Sequence, residues 1–216
     1  MPTILLATAN PHKVTELRAI LANAPMTFLS LADLATATTE PEETGDTFEA
    51  NATIKALAYA EQTGHLCLAD DSGLEVDALG GKPGVISSHY CTDGREVGMT
   101  REQRDMANNE RLLRELAGVP FERRTARFVC VMVLAAPPTR DDGRILAMTR
   151  GAFEGRIGLS GTVPRGHGGF GYDPLLLIPP DYARTSAELS AEEKNARSHR
   201  GAAARAMADA LRNVNI

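Results

Sequence analysis

Short apolar runs alternate with segments of helical periodicity in the first third of the chain. The apolar run from Thr3 to Ala7 predicts a buried strand, and a polar turn follows it. Apolar residues then recur at helical spacing, at Val14, Leu17, Ile20 and Leu21. This order predicts a strand, a loop and a helix at the start of the chain.

Two further helices are predicted from the residues at their ends. Asp46 with Glu49 three residues later has the capping-box pattern, and Thr63 followed by Gly64 predicts the end of the same helix. Another helix is predicted to begin near Thr100, with Gln103 as the capping partner. Its apolar residues are Met106, Leu112, Leu113 and Leu116.

Between these helices the pattern predicts two short strands, Leu66–Ala69 and Leu74–Leu79, separated by the polar segment Asp70–Gly73. The run Gly80–Gly84 predicts a turn.

The middle of the chain is rich in residues that favour strands. Strands are predicted at Thr125–Ala136, Arg144–Arg150, Phe153–Ile157 and Leu175–Ile178, with a loop at Pro137–Gly143 between the first two. The segment Ser160–Gly171 contains five glycines and predicts an irregular loop. An alanine-rich helix is predicted from Ser198 to about residue 213. Because no linker or repeat interrupts residues 1–216, we expect a single α/β domain.

Composition narrows the classes of function. A hydrophobic content of 43% with 24% charged residues is typical of a globular protein. The net charge of -5 disfavours a nucleic-acid polymer as partner, and the apolar run Val129–Ala136 is too short to span a membrane. Cys67, Cys91 and Cys130 lack the spacing of a disulfide framework or a metal site, so we expect reduced thiols and a cytoplasmic location.

The basic residues are mostly arginine, since only four of the 23 are lysine. Arginine replaces lysine easily on a solvated surface but less easily where a compact ammonium must reach one oxygen atom. All four lysines, Lys13, Lys55, Lys82 and Lys194, are therefore candidates for positions that only lysine can fill. Lys82 lies in a predicted turn and is expected to be an ordinary surface residue.

The first candidate site lies between the first strand and the first helix. Helix amino termini in α/β proteins favour anions, and a lysine in the first turn is badly placed unless an anion lies there. We expect an anion near this segment, whose residues are Thr8, Ala9, Asn10, Pro11, His12 and Lys13.

A second candidate site contains two adjacent carboxylates, Asp70 and Asp71, followed by Ser72 and Gly73. Adjacent ionised carboxylates repel, so either a cation or a turn is expected there, and Mg²⁺ is suited to such oxygen ligands. The acidic segment with Glu40, Glu42 and Glu43 is the candidate source of a further ligand. An aspartic protease needs two copies of the Asp-Ser-Gly type of triplet, and the chain has one.

Two more candidate segments lie near the carboxyl end. Glycines flank Phe170 and would let a flat partner such as a nucleobase approach its ring, with Asp173 able to accept hydrogen bonds from the base. Farther on, Lys194 precedes Ser198, a good helix cap that would place His199 and Arg200 in the first helical turn. Cations at that position again suggest an anionic or polar partner.

The ordered set of segments resembles the inosine/xanthosine triphosphate pyrophosphatase family over nearly the whole chain. Its parts are Thr8–Lys13, Glu42–Gly45 with Phe48, Asn51 and Lys55, then Ala69–Leu74, Gly168–Pro174, and Lys194 with Ser198–Gly201. The resemblance implies an elongated α/β fold with a long mixed twisted sheet, flanking helices and two lobes around a central cleft. It also implies a homodimer.

The resemblance implies Mg²⁺-dependent hydrolysis of purine nucleoside triphosphates (ITP, dITP, XTP, dXTP) to the monophosphate and pyrophosphate. By this likeness Asp71 is the general base and, with Glu42, a metal ligand, while Glu43 and Asp70 are further possible ligands. The substrate contacts that it implies are Thr8–Lys13, Lys55, Ser72, Phe170, Gly171, Tyr172, Asp173, Lys194, His199 and Arg200. His199, Arg200 or amides near Phe170 are candidate donors to the 6-oxo group of the base.

Two other functions fit the same segments. One is a nucleotide sensor without catalysis, which the intact Glu42, Asp70 and Asp71 disfavour. The other is a related pyrophosphatase that acts on other modified nucleotides.

Overall fold

Six strands form one mixed sheet in the computed structural model, which describes residues 2–22, 24, 26–138 and 143–213, with His12 described by its backbone alone. The strands are β1 (Thr3–Leu6), β2 (Thr27–Ser30), β3 (Leu66–Val76), β4 (Thr125–Ala135), β5 (Ile145–Ile157) and β6 (Leu176–Leu177). Their order is β2-β1-β3-β4-β5-β6. β1 pairs in parallel with β2 and β3, whereas β5 and β6 are antiparallel. The predicted α/β class with a mixed sheet is confirmed.

Five α-helices accompany these strands within the described ranges. They are α1 (Pro11–Ile20), α2 (Phe48–Thr63), α3 (Arg101–Glu115), α4 (Ala191–Arg197) and α5 (His199–Leu211). No helix of the described residues is long and apolar enough to cross a membrane.

The residues at the helix ends explain where α2 and α3 begin and stop. The predicted capping box of Thr100 and Gln103 is present at α3, and Gly64 ends α2 with a left-handed φ of 68°. The capping box predicted for Asp46 is wrong, because Thr47 is the cap of α2 and its side chain accepts a hydrogen bond from Ala50 N. The capping acceptor is thus the hydroxyl of Thr47, one residue closer to the helix than the predicted Asp46.

Strand β3 differs most from its prediction, because it continues through the polar segment Asp70–Gly73 instead of ending before it. Asp is a poor strand residue on its own. Here the two carboxylates lie beside Lys13 and Lys55, which compensate their charge and make the extended backbone tolerable. The strand ends at Val76, and the rest of the predicted second strand, Asp77–Leu79, is a 3₁₀ turn.

Other predicted elements are confirmed with different lengths. β5 is continuous where two strands were expected, and β6 is shorter than Leu175–Ile178. The segment Ser160–Gly171 contains no helix or extended strand, as predicted. Among the apolar residues named for the third helix, Met106 is exposed, whereas Leu112 and Leu116 are fully buried. Part of the expected loop at 137–143 lies outside the described residues.

The chain divides into two compact units, each with its own hydrophobic core. The first comprises residues 1–71, 130–151 and 199–216, and the second comprises residues 72–129 and 152–198. The core of the first unit includes apolar residues of β1, β4, α1 and α5. The core of the second includes Leu74, Tyr90, Phe153, Tyr172 and Leu176. Candidate site residues occur in both units.

Candidate active site

In the first unit, β3 presents Asp70 and Asp71 in succession near its middle. Successive side chains of a strand point to opposite faces of the sheet. The two carboxylates therefore reach different cations even though they are neighbours in sequence. Asp70 pairs with Lys13 and Arg200, and Asp71 pairs with Lys55.

Asp70 is a buried anion held by cations from two helices. Its Oδ2 lies 2.9 Å from Lys13 Nζ and 3.6 Å from Arg200 Nε. Burial by itself would raise the pKa of Asp70, but Lys13, Arg200 and Lys55 outweigh it and hold the pKa well below its usual value. Asp70 is therefore a permanent carboxylate at neutral pH.

Asp71 has a different electrostatic environment. Its Oδ1 lies 3.2 Å from Lys55 Nζ, which also contacts Glu43 Oε1 at 3.1 Å. Burial raises the pKa of Asp71; Lys55 opposes this effect and Glu43 reinforces it, so the pKa lies above its usual value. Asp71 Oδ2 is buried and has no hydrogen-bond partner within the described part of the chain. The hydrogen-bonding capacity of this oxygen is therefore unused by the described residues.

Lys55 links Asp71 to the acidic segment that precedes α2. It is 7% exposed, and although burial lowers its pKa, Asp71, Asp70 and Glu43 raise it above the usual value. Lys55 is thus charged at neutral pH. The acidic segment itself is fixed by the buried Asn51, whose Oδ1 accepts a hydrogen bond from Gly45 N at 2.8 Å.

Glycine is required at position 45 because the backbone there lies very close to α2. A Cβ on Gly45 would lie 2.6 Å from Ala50 Cβ and 2.7 Å from Asn51 Oδ1. Glu42 and Glu43 therefore have a defined attachment to α2, and both are exposed to solvent.

The segment Thr8–Lys13 connects β1 to α1, as the sequence predicts. Thr8 Oγ1 accepts a hydrogen bond from Asn10 N, and Asn10 O accepts one from Val14 N as α1 begins. Pro11 is the first residue of α1, a position where its missing N–H costs no helical hydrogen bond. Ala9 is exposed at the bend, and the side chain of His12 lies outside the described residues.

Helix α5 brings Arg200 to this cluster from the far end of the chain. Arg200 is 2% exposed and donates a 2.5 Å hydrogen bond to Glu16 of α1. Gly151 of β5 lets the start of α5 approach closely, since a Cβ there would lie 2.2 Å from His199 O. The predicted residues Lys13, Asp70 and Arg200 are thereby brought together within the first unit.

In the second unit, the glycine-rich loop that carries the aromatic residue Phe170, named the Phe170 loop, is held together by Asp173. This side chain is 4% exposed, and its Oδ2 lies 2.6 Å from Lys194 Nζ and accepts a 2.8 Å hydrogen bond from Phe170 N. Ser186 Oγ donates a 2.7 Å hydrogen bond to Asp173 Oδ1. Asp173 thus joins two predicted segments, the loop and the start of the Lys194 region.

The ring of Phe170 is half-buried and has two cations near it. The guanidinium carbon of Arg101 is 4.5 Å from the ring centroid, and Lys194 Nζ is 5.5 Å from it. Tyr172 differs, because its side chain lies in the core and its hydroxyl donates a 2.8 Å hydrogen bond to Ser87 O. Burial raises the pKa of Tyr172 well above its usual value.

Most of the predicted charged residues lie in three contact sets. In the first set, Lys13 and Arg200 both pair with Asp70. In the second set, Glu43 and Asp71 both pair with Lys55. A third set joins Lys194 to Asp173 and Phe170. Glu42 is exposed at the acidic segment, Ser72 and His199 are half-buried, and Tyr172 is in the core.

Besides Ser186, which contacts Asp173, four polar residues in these contacts were absent from the sequence-based prediction. Glu16 pairs with Arg200, and Arg101, Asp105 and Asn109 of α3 contact the Phe170 loop. The last three are spaced by four residues, the spacing of neighbours along one helix face. That polar stripe was a usable signal, but the apolar residues of α3 alone defined the helix in the sequence.

Comparison with known proteins adds the class and the family. A protein from Nitratidesulfovibrio vulgaris named dITP/XTP pyrophosphatase is 52% identical over 203 residues, which cover 94% of this chain and 92% of that protein. A Frankia alni protein of the same name is 48% identical over 213 residues, which cover 98% of this chain and 98% of that protein. Together with the mixed α/β fold, these relatives define the chain as an enzyme of the pyrophosphatase class.

Solved structures and the family match agree with this class. A HAM1 protein from Coxiella burnetii superposes with a TM-score of 0.82 at 36% identity, covering 99% of this chain and 100% of that one. A protein from Mycobacterium abscessus titled nucleoside-triphosphatase / dITP/XTP pyrophosphatase has a TM-score of 0.70 at 42% identity, covering 96% and 97%. Residues 4–210 match the Ham1 family. The chain belongs to the Ham1 family.

Proposed function

We propose that this enzyme hydrolyses the non-canonical purine nucleoside triphosphates dITP, XTP, ITP and dXTP to the monophosphate and pyrophosphate, with Mg²⁺ as cofactor. The observation that carries the proposal is the paired carboxylate–lysine cluster around Asp71, in a chain whose near full-length relatives are named dITP/XTP pyrophosphatases. Removal of such nucleotides cleanses the nucleotide pool.

Asp71 is the general base of the proposed reaction. A water molecule attacks phosphorus at the linkage between the α and β phosphates, and the bridging P–O bond of that linkage breaks. Pyrophosphate leaves, and the water proton passes to a carboxylate oxygen. Asp71 Oδ2 suits this role because it is buried without a hydrogen-bond partner among the described residues. Lys55 holds the other oxygen, Oδ1, at 3.2 Å and so fixes the orientation of the carboxylate.

The residues present fit a divalent cation. Asp71 and Glu42 would hold Mg²⁺, and Asp70 Oδ1, which is also buried without a described hydrogen-bond partner, and Glu43 are further possible ligands. The described residues contain no group of three or more His, Cys, Asp or Glu suited to a metal, but Mg²⁺ commonly takes one or two carboxylates and leaves the rest to waters and phosphates. When bound, Mg²⁺ neutralises charge on the phosphate oxygens.

Lys13 is proposed to bind phosphate together with the backbone of the segment Thr8–Pro11. Its ammonium is paired with Asp70, and its side chain is 16% exposed, so Lys13 is not closed off from solvent as Asp70 is. An ammonium has three donors and can serve both partners. Asp70 then acts through Lys13 by holding it in place.

The base is proposed to stack on Phe170, with Lys194 as the donor to its oxo group. The ammonium of Lys194 lies 5.5 Å from the ring centroid, near enough to meet the edge of a stacked base. An exocyclic amine in place of the oxo group would leave this donor unpaired, which disfavours adenine. Arg200 is less suited as the donor, because it is 2% exposed and paired with Asp70 and Glu16.

A substrate panel tests the proposal directly. We expect pyrophosphate release from dITP, XTP, ITP and dXTP with Mg²⁺, much slower release from ATP and GTP, and loss of activity with EDTA that Mg²⁺ restores. Absence of pyrophosphate from all four oxopurine substrates would refute the proposal. Tight binding of the same nucleotides without turnover would instead identify a sensor. The homodimer, the cytoplasmic location and the single-domain organisation stay predictions.

A further inference from the structure

One face of α3 contacts the Phe170 loop at three points. Arg101, Asp105 and Asn109 follow one another at intervals of four residues, so their side chains lie along the same face of the helix. All three reach the loop within the second unit: Arg101 at the ring of Phe170, Asp105 and Asn109 at the backbone of Gly171.

The two contacts with Gly171 satisfy both of its backbone polar groups. Gly171 N donates a 2.9 Å hydrogen bond to Asp105 Oδ2, and Asn109 Nδ2 donates a 3.1 Å hydrogen bond to Gly171 O. Gly171 has a left-handed φ of 62° and follows Gly168 and Gly169. Glycine-rich backbone loses much conformational entropy when it is ordered. The two side chains of α3 therefore stabilise one conformation of a segment that would otherwise populate many.

Arg101 completes the set by lying against the aromatic ring. Its guanidinium carbon is 4.5 Å from the ring centroid of Phe170, and its Nε lies 4.0 Å from Asp105 Oδ2. Contact between a planar guanidinium and an aromatic face is favourable and restricts the ring. The same helix face thus holds both the backbone and the side chain of the loop.

Helix α3 is a rigid support for these contacts. The capping box of Thr100 and Gln103 fixes its amino end, and Leu112 and Leu116 are fully buried at its carboxyl end. Asn108, on a different face, is 2% exposed and accepts a 2.7 Å hydrogen bond from Cys91 N. Sites mounted on rigid elements keep their geometry better than sites that depend on loops alone.

We propose that Asp105 and Asn109 are positioning residues of the base-binding loop, and that Arg101 restrains the stacking ring, so that this face of α3 tunes affinity for the purine base. We name Arg101, Asp105 and Asn109 the α3 clamp. The inference rests on the proposed function, since it gives a role in base binding to residues that contact the ring of Phe170 and the backbone of Gly171. Because the clamp orders the loop before the base binds, less conformational entropy is lost on binding.

Exchanging amide and carboxylate groups tests the clamp with almost no change of shape. Asp105→Asn keeps an acceptor for Gly171 N, whereas Asp105→Ala removes it. Asn109→Asp replaces the donor to Gly171 O with an acceptor, and Asn109→Ala removes the donor without adding a charge. Glu110→Gln is the matched control, because Glu110 is an exposed carboxylate of the same helix.

Three measurements are made on each full-length variant: the dissociation constants of inosine monophosphate and of inorganic pyrophosphate by calorimetry, and hydrogen exchange of the loop amides. We expect Asp105→Ala, Asn109→Ala and Asn109→Asp to weaken inosine monophosphate about fivefold or more, the effect of one lost hydrogen bond, and to speed exchange in the loop. Pyrophosphate affinity should stay within about twofold, since it lacks a base. Asp105→Asn should recover most of the loss, and Glu110→Gln should match the wild type.

The outcomes separate the clamp from the proposed function. Unchanged inosine monophosphate affinity and loop exchange in Asp105→Ala and both Asn109 variants would overturn the clamp while leaving the enzyme's activity intact. An equal loss of pyrophosphate affinity would also overturn it, because a general loss of structure would then explain the data. A wild-type protein that neither cleaves oxopurine triphosphates nor binds inosine monophosphate would refute the proposed function, whereas loop exchange would still report the two hydrogen bonds.

Discussion

The carboxylate cluster of the first unit and the aromatic loop of the second are held in different ways. Asp70 and Asp71 lie in a strand, and their partners come from helices and from the acidic segment before α2. Phe170 and Asp173 lie in a loop of left-handed glycines that is fixed by Lys194 and by α3. In the proposed function, the chemistry that depends on charge placement belongs to a strand, whereas recognition of the flat base belongs to a loop.

The comparison extends to the charges themselves. Each region contains a buried carboxylate paired with a lysine, at 2.9 Å for Asp70 with Lys13 and 2.6 Å for Asp173 with Lys194. The first region also contains a second carboxylate, Asp71, whose pKa is raised chiefly by burial. A carboxyl group with a raised pKa accepts a proton more readily, which suits a base in catalysis. The first region is thus suited to proton transfer, and the second to binding.

The largest expected effect separates these roles at Asp71. Asp71→Asn should lower kcat by about 10³-fold or more, because the amide cannot accept the proton of the attacking water. Nucleotide binding should remain detectable, since the aromatic loop is unchanged. Single-turnover pyrophosphate release and calorimetry with dITP measure the two quantities. A wild-type rate in this variant would remove Asp71 from the mechanism.

A smaller effect is expected within the aromatic loop, at Gly169 and Gly171. A Cβ on Gly169 would lie 2.2 Å from Asp173 Oδ2 and 2.5 Å from Lys194 Nζ, whereas a Cβ on Gly171 meets no atom within 4 Å. Both residues have positive φ, so both substitutions strain the backbone by about 1 kcal/mol. Gly169→Ala should also break the ion pair and raise KM for dITP about tenfold above that of Gly171→Ala.

Steady-state kinetics with dITP and thermal melting of both glycine variants check this prediction. Equal KM values would show that the Lys194–Asp173 pair has no part in binding the base. A kcat loss equal to that of Asp71→Asn would contradict the separation of the two regions.

The lysines give a third and more moderate comparison. Lys194→Arg should lower kcat/KM about tenfold, because a planar guanidinium cannot replace a compact ammonium between Asp173 and the ring of Phe170. Lys82→Arg should have no effect, because Lys82 is exposed in the turn before Pro83. Kinetics on the oxopurine panel measure both variants. Equal losses would contradict the assignment of Lys194 to the site.

The smallest expected effect is a pH dependence of stability. The pKa of Asp70 is lower in the folded state than its usual value of 3.8, so the unfolded state binds more protons between the two values. The stabilisation from Asp70 is complete above the unfolded-state pKa of 3.8, and it is lost as the pH falls toward the pKa of the folded state. Asp71 has a raised pKa, so its contribution has the opposite sign and favours folding as the pH falls.

Chemical denaturation of the wild type, Asp70→Asn and Asp71→Asn between about pH 3 and pH 6 measures these terms. Asp70→Asn should remove up to about 1.4 kcal/mol per pH unit from the acid slope of the unfolding free energy, the value for one proton. Asp71→Asn should make that slope steeper. Parallel curves for both variants would show that the two neighbours have the same environment.

The fold was predictable where local signals acted alone. The strand before α1, the capping box at Thr100, the stop at Gly64 and the irregular glycine-rich loop all follow from nearby residues and are confirmed. The break predicted at Asp70–Gly73 is wrong because the cations that stabilise these carboxylates come from distant segments. Local propensity cannot include a partner that is supplied by the fold.

The candidate site shows the same limit. The two carboxylates and the lysines were identified from residue type and spacing, but their pairing was not. Which lysine meets which carboxylate depends on the strand alternation of Asp70 and Asp71 and on where α1, α2 and α4 lie. The polar stripe Arg101, Asp105 and Asn109 could be linked to the loop only from the fold, which places α3 beside Gly171.

Residue periodicity, the positions of glycine and the scarce lysines were enough to predict the α/β class, the family likeness and the residues proposed to carry the chemistry. Tertiary structure alone decided that two adjacent aspartates differ, one a permanent anion between Lys13 and Arg200 and the other a base candidate beside Lys55. The physical reason is that a pKa depends on burial and on charges in space, and the fold brings these charges from segments far apart in sequence.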